Sequence, residues 1–496
     1  MELSKEQQLA FDKYVLGNNI FITGPGGSGK SALIKLINEH AFKKFRSIQV
    51  CALTGCAAVL LNCKAKTLHS WAGIGLGNGT IEQLVAKIKK NKFAKALWKS
   101  VDVLVVDEVS MLSLKLFDAL NAIGKSVRGN YKPFGGIQLV FSGDFYQLPP
   151  VGDNSEPDTQ RFCFESDDWN SIFHRDCQIQ LVKIFRQTDE IYSTILNQIR
   201  EGKIKRKSND ILLQYVGRQH DPNLVAEPTK LFPTRNKVEN INNTKMSNLQ
   251  GELRDFKIKY LKDLDMTKAE KAERIDYNEK DIQFELDFLA GNLICEKEMR
   301  MKIGAQVMSI INIQTDKGLD ICNGSQGIIT GFCDITGCPR VKYNNGIEMV
   351  MSRHVWASDK IPGVGVSQVP LILAWALTIH KSQGATMDAA EIDVGSGIFE
   401  CGQTYVALSR VKSLNGLYLT SFDVKKIRIN KKVKDFYEAL TLYQESNITH
   451  QEIYEPLVIA EPITVTEPIV NPFTTYQYQH QMEPPFSLLK SENYEE

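Results

Sequence analysis

Four apolar runs frame the first third of the chain: Ile20-Phe21-Ile22, Ile48-Gln49-Val50-Cys51-Ala52-Leu53, Val101-Asp102-Val103-Leu104-Val105-Val106 and Ile137-Gln138-Leu139-Val140-Phe141. Each is short and apolar, and each ends in small or polar residues, as strands buried on both faces of a parallel sheet do. Between them lie segments of helical spacing. Leu9, Phe11, Tyr14 and Val15 follow a Ser4/Gln7 capping box, Ala32 to Ile37 form a second set, and the Lys-rich stretch 81–100 repeats Ile81, Leu84, Val85 and Ile88. Strands alternating with helices predict an α/β fold with a doubly wound sheet, whose ligands sit beyond the carboxyl ends of the strands.

Past Pro150 the polar loop 152–160 marks a boundary, and a second α/β unit begins. Leu181 to Gln187 precedes a helical pattern that ends at Arg200-Glu201-Gly202, and Leu231-Phe232-Pro233 reads as another short strand. Residues 252–281, dense in Lys, Asp and Glu, predict a solvated helical face or a flexible insert. From Ile303 to Met351 short strands alternate with Gly-rich turns, which predicts a small β-barrel inserted in the second unit. The α/β pattern resumes at Leu371 to Leu377, and Gly402 to Leu408 reads as a helix with Arg410 at its end. After Gln444 repeated Glu-Pro pairs predict disorder. The expected division is 1–178, with a small insertion around 60–100, then 179–250 joined with 366–442, an insertion at 251–365 with its barrel at about 296–352, and a tail at 445–496.

Composition changes this picture in two places. The net charge of +1 hides an asymmetry, since residues 445–496 carry −8 and the rest of the chain +9. A basic body suits a polyanionic partner. The ten cysteines form no C-x-x-C pair and mostly sit in apolar runs, as reduced thiols of an intracellular protein do. Cys333 and Cys338 flank a turn and approach across a hairpin. No apolar run nears the roughly 18 residues that span a bilayer, and the N-terminus reads as a capped helix, so a soluble protein is expected, in nucleus or cytoplasm. Lys203, Lys205, Arg206 and Lys207 have two readings, a nuclear address or a solvated helix end.

The chemistry gathers at the strand ends. Gly24-Pro25-Gly26-Gly27-Ser28-Gly29-Lys30-Ser31 fits G-x-x-x-x-G-K-[ST], between a predicted strand and a predicted helix. Its glycines let backbone N–H groups cradle phosphate; Lys30 reaches the β- and γ-phosphates and the Ser31 hydroxyl ligates Mg²⁺. Asp107 and Glu108, closing the third run, suit a second hold on Mg²⁺ and a base for the attacking water. Gln147 suits sensing the γ-phosphate, because an amide donates and accepts at once. Thr54-Gly55-Cys56-Ala57-Ala58 permits close approach of a nucleic-acid backbone or, equally, a helix N-terminus packed on the sheet. Thr67-Leu68-His69-Ser70 stays open between a structural and a binding role.

Taken in order, Gln7, Gly24 to Ser31, Thr54-Gly55-x-Ala57-Ala58, Thr67-x-His69-Ser70, Asp107-Glu108, Gly143-Asp144-x-x-Gln147-Leu148-Pro149-Pro150, Phe185-Arg186-Gln187, Thr378-Ile379-His380-Lys381-Ser382-Gln383-Gly384 and Tyr405 to Arg410 resemble the PIF (petite integration frequency) group of superfamily-one DNA helicases, close to the RecD-type enzymes. The likeness covers most of Leu3 to Leu440. It implies two RecA-like P-loop domains with parallel sheets, an SH3-like barrel, and ATP with Mg²⁺ between the domains. Single-stranded DNA would cross both domains, with 5′-to-3′ translocation and unwinding of forked DNA in replication, repair or recombination. By that resemblance Gln7 reads adenine, Gly384 joins the nucleotide site, and Arg186 and Arg410 are arginine fingers. Thr54, Gly55, Thr67, His69, Thr378, His380 and Lys381 would line the strand. A DNA-coating ATPase that does not separate strands, and an enzyme of RNA, are the rival readings.

Overall fold

The computed structural model describes residues 3–448 apart from 62, 64, 188, 276, 316–317 and 359–360; from 449 on, the acidic tail expected to be disordered lies outside the described residues. Ile20–Thr23, Val103–Asp107 and Gln138–Gly143 are buried along their whole lengths, as strands covered on both faces must be. They stand at the centre of a six-stranded sheet in the order Lys66–Thr67, Ile48–Ala52, Val103–Asp107, Gln138–Gly143, Ile20–Thr23, Gln178–Gln180. Every pairing in it is parallel. Side chains alternate between two cores, Phe21, Leu104, Val106 and Phe141 on one face and Ile20, Ile22, Val103, Val105 and Val140 on the other.

The second parallel sheet orders Ala376–Thr378, Thr229–Phe232, Ala390–Val394 and Leu417–Phe422. Its core is built from Leu231, Leu377, Ile392, Val406 and Leu419. Between its strands the chain forms the β-rich insertion, a five-stranded antiparallel sheet of Glu348–Val350, Pro339–Tyr343, Gln326–Phe332, Gln306–Ser309 and Leu371–Leu373. The fold is thus the expected pair of parallel α/β sheets with a small inserted β-structure.

Several elements differ from the sequence expectation. The Lys-rich stretch is two helices, Ile81–Lys90 and Lys92–Ser100, because the Asn91 side chain caps the second by accepting from the Ala94 N–H at 3.1 Å. Within 252–281, read as a solvated face or insert, Arg254–Lys257 and Lys259–Leu261 are strands paired with Glu298–Met301 and Gly365–Gln368. The run 371–377 is two strands: Leu371–Leu373 completes the inserted sheet and Ala376–Thr378 joins the second parallel sheet. The C-terminal helix, Lys431–Ile448, also departs from its expected grouping. Its Val433, Tyr437 and Leu440 pack with Phe21 of the first sheet and with Phe145 and Trp169 on the same side, since its apolar stripe matches that aromatic face. Residues Met1–Gln444 cluster as one unit.

Candidate functional site

The glycine-rich loop leaves the strand Ile20–Thr23 and enters the helix Lys30–Lys43. Gly27 and Gly29 both hold φ of +85°, the left-handed region where a side chain is strained. A Cβ at Gly27 would fall 2.4 Å from Arg186 Cβ, and one at Gly29 2.4 Å from Gln7 Nε2. The loop therefore needs glycine for its shape and for what lies against it. Lys30 Nζ donates to the loop's own Gly24 and Pro25 carbonyls at 2.7 and 3.0 Å. Burial lowers its pKa, against the pull of Asp144, Glu108 and Asp107. The Ser28 hydroxyl is buried and has no partner among the described residues. An amine folded back on carbonyls, an orphan hydroxyl and a glycine cradle at a helix N-terminus are a donor set that fits a polyphosphate.

A cavity of about 400 Å³ opens over this loop. Lys30, Glu108, Gln147, Arg186 and Arg410, the five expected catalytic groups, all line it. So do Gly26, Gly27, Gly29, Ser31 and Gly384 of the expected nucleotide-binding set, and Ser31 and Asp107, the expected metal pair. Gln7, Gly24, Pro25 and Ser28 of the expected nucleotide-binding set do not line it. Gln7 spends its amide on the loop, donating to the Ser28 carbonyl at 3.2 Å while its Oε1 accepts from the Ser4 N–H at 3.0 Å.

Glu108 sits at φ 57°, ψ 40°, left-handed backbone that costs a non-glycine residue about 1–3 kcal/mol. That turn aims the carboxylate off the strand end into the cavity. Burial, then the neighbouring Asp107 charge, pushes its pKa up to about 7, against Lys30 and Arg410. Gln383 Nε2 donates to its Oε2 at 3.2 Å. A carboxylate near neutrality beside a hydrogen-bonding amide is a competent base for water. Burial likewise raises Asp107. No group of three or more His, Cys, Asp or Glu able to hold a metal occurs among the described residues. A cation here would be held by Ser31, Asp107 and the ligand's own oxygens.

The cations come from the far side of the cavity. Arg410 follows the helix Gln403–Leu408; its Nε donates to the Val406 carbonyl at 2.8 Å and its Nη2 to Ser409 Oγ at 2.7 Å. Burial, then Arg186 beside it, lowers its pKa to about 9. Glu108 is the carboxylate whose charge favours both, and neither makes a carboxylate salt bridge among the described residues, so two like charges held together here suit an anion.

A second buried cluster, with no trace in the sequence reading beyond the position of Asp144, ties these walls together. Asp144 receives both Arg200 Nε and Nη2 at 2.8 Å, a bidentate pair with both residues almost wholly buried. The Arg200 guanidinium lies 4.6 Å from the Tyr146 ring centre and 5.3 Å from that of Tyr437, and the two rings stack at 4.6 Å. Tyr437 Oη also meets Thr23 Oγ1 at 2.6 Å and accepts from the Phe145 N–H at 3.0 Å. One hydroxyl thus joins the residue before the phosphate loop to the segment that carries Gln147. Arg200 ends the helix Glu190–Arg200 and Tyr437 lies in the C-terminal helix; neither sits in a recognisable motif.

Of the expected DNA-contacting residues, Gly55 and Thr67 line a smaller cavity of about 160 Å³. Its other wall belongs to the insertion, through Phe288, Leu289 and Trp356. Thr54, His69, Thr378, His380 and Lys381 do not line it. Thr54, Thr67 and Thr378 use their hydroxyls to accept from the N–H groups of Ala57, Ser70 and Lys381 at 3.2, 3.3 and 3.1 Å, as turn caps do. Burial lowers the pKa of His69 and His380, which favours neutral rings.

Residues 2–210 match the model of the PIF1-like helicase family, and residues 286–332 that of the DNA helicase Pif1 2B domain. Human ATP-dependent DNA helicase PIF1 is 35% identical over 450 residues, covering 88% of this chain and 64% of that protein. The chain thus spans under two-thirds of that relative's length. The crystal structure of Pif1 helicase from Candida albicans shares 35% identity at a TM-score of 0.68, over 89% of this chain and 100% of that one. Pif1 helicase from Bacteroides, in complex with ADP-AlF3 and ssDNA, shares 28% identity at a TM-score of 0.60, over 89% and 98%. Matched in sequence, in its inserted domain and in fold, the chain belongs to the PIF1-like helicase family.

Proposed function

We propose that this chain is an ATP-dependent DNA helicase that moves 5′ to 3′ on single-stranded DNA and separates forked duplexes, in replication, repair or recombination. The observation that carries the reading is the meeting of Arg186 and Arg410 with Lys30, Asp107 and Glu108 around one cavity. Lys30 leaves its own loop carbonyls to hold phosphate, and Glu108 takes the proton of the attacking water. Arg186 and Arg410 neutralise charge that grows on the transferred phosphoryl group, so hydrolysis requires the two walls to be closed. Ser31 and Asp107 would hold Mg²⁺, which would supply charge neutralisation at the phosphate oxygens. The same reading treats 1–178, with the C-terminal helix packed on it, as the nucleotide-binding lobe, 179–250 with 366–430 as the moving lobe, and Gly55 and Thr67 as part of the strand path. No described helix is long and apolar enough to cross a membrane.

The test is unwinding of partial duplexes with single 5′ or 3′ overhangs, with ATP and with Lys30→Ala as control. Opening of the 5′-tailed duplex alone, lost in the variant, is the expected result. Hydrolysis stimulated by single-stranded DNA without opening of either duplex would identify a strand-coating ATPase, and stimulation by RNA alone an RNA enzyme.

A further inference from the structure

The helix Gln403–Leu408 points a tyrosine at the phosphate loop. Tyr405 is 3% exposed, and its Oη accepts a hydrogen bond from the Gly26 N–H at 2.8 Å. Gly26 lines the cavity, and a Cβ built on it would lie 3.5 Å from Tyr405 Oη, 3.8 Å from Arg186 Nη1 and 3.9 Å from Ser409 Oγ. Polar groups of the opposing wall therefore converge around this one loop glycine, and Tyr405 takes its amide. The tyrosine oxygen stands where an amide of a phosphate cradle meets an anion's oxygen. Burial pushes the Tyr405 pKa up to about 12, so the phenol keeps its proton. Its oxygen is used by Gly26, while the structure gives its O–H no acceptor among the described residues.

We infer that Tyr405 distinguishes nucleoside triphosphate from diphosphate, its hydroxyl holding the Gly26 N–H in the empty site and donating to the terminal phosphate in the filled one. The inference rests on the nucleotide reading of the cavity. A neutral phenol serves this purpose where a third cation would not. Arg186 and Arg410 already repel one another across the gap, and Tyr405 adds a directed donor without adding charge. The roles differ too, because the arginines stabilise charge during reaction, whereas a hydroxyl that trades one partner for another reads occupancy beforehand. Loss of the hydroxyl removes a donor to the triphosphate alone, and frees the Gly26 N–H for any phosphate.

The experiment measures equilibrium affinities for ADP and for a slowly hydrolysed ATP analogue, without DNA, by displacement of fluorescent ADP. In Tyr405→Phe the preference for triphosphate over diphosphate should fall about tenfold, the scale of one hydrogen bond to a charged group. Installing 3-fluorotyrosine at 405, a stronger donor that keeps the hydroxyl, should move the preference the other way, and serves if the phenylalanine variant does not fold. Equal shifts in both affinities, or none, would overturn the inference. Lys30→Ala separates the two levels. If it binds both nucleotides as the parent does, the cavity is not the nucleotide site and the underlying reading fails with it.

Discussion

At the scale of single residues, Glu108 is where reactivity and stability pull against each other. Its pKa is raised to about 7 by burial, so the folded protein prefers the neutral acid and resists the carboxylate that hydrolysis needs. The stability this group provides is therefore present at acid pH and is lost as pH rises through about 7, while activity runs the opposite way. DNA-stimulated kcat should fall as pH drops below about 7. Glu108→Gln should lower it by roughly 10²–10⁴-fold above pH 7, with the gap narrowing at lower pH, yet raise the melting temperature clearly at pH 8 and far less at pH 5. Both are read from a pH series of hydrolysis rates and thermal melts. Gly27 gives a second test. Alanine there is strained at φ +85° and collides with Arg186 Cβ, so Gly27→Ala should cut kcat at least tenfold in an ATPase assay. The pocket's residues were legible because each stands in a dense pattern of small and polar residues at the end of an apolar run. Gln383 and Tyr405 stood in such patterns too, but what they touch depends on the opposing wall, and linear spacing does not reveal that.

Among the elements, the helix Glu190–Arg200 and the C-terminal helix are fastened to the first sheet by the Arg200–Asp144 pair and its tyrosine sandwich. Removing one partner of a buried ion pair strands the other, so Arg200→Ala should cost about 3–5 kcal/mol in denaturant unfolding, while Tyr437→Phe, which keeps the ring, should cost about 1 kcal/mol. A larger loss from Tyr437→Phe than from Arg200→Ala would refute this ranking. Nothing in the sequence announced the cluster, for an arginine at a helix end and a tyrosine on an amphipathic helix are common surface features. The C-terminal helix was grouped with the second sheet because it follows it in sequence, whereas its packing is decided by its own Phe436 meeting Phe145 and Trp169. Periodicity also failed where one run serves two purposes. Residues 371–377 read as a single strand because apolar side chains continue through the bend, and the change of sheet leaves no mark in hydropathy.

For the whole molecule, charge is the property that sequence alone states and that packing does not alter. Residues 449–496 carry eight acidic residues and one lysine, so their removal takes the net charge from +1 to +8. The shortened chain should bind single-stranded DNA several-fold more tightly at low salt, with the difference vanishing as salt rises, in a titration followed by fluorescence anisotropy. Equal affinities at low salt would show that the tail's field does not reach the DNA path. The shared run 371–378 bears on motion at this scale. It leaves the inserted sheet at Leu373, enters the second parallel sheet at Ala376, and continues to His380 and Gln383, the latter holding Glu108. Any swing of the insertion must therefore twist the backbone at Ala374 and Trp375, and the remaining torque runs on toward the Gln383 amide that donates to Glu108. Movement of the insertion and the shape of the cavity are thus linked through this length of polypeptide.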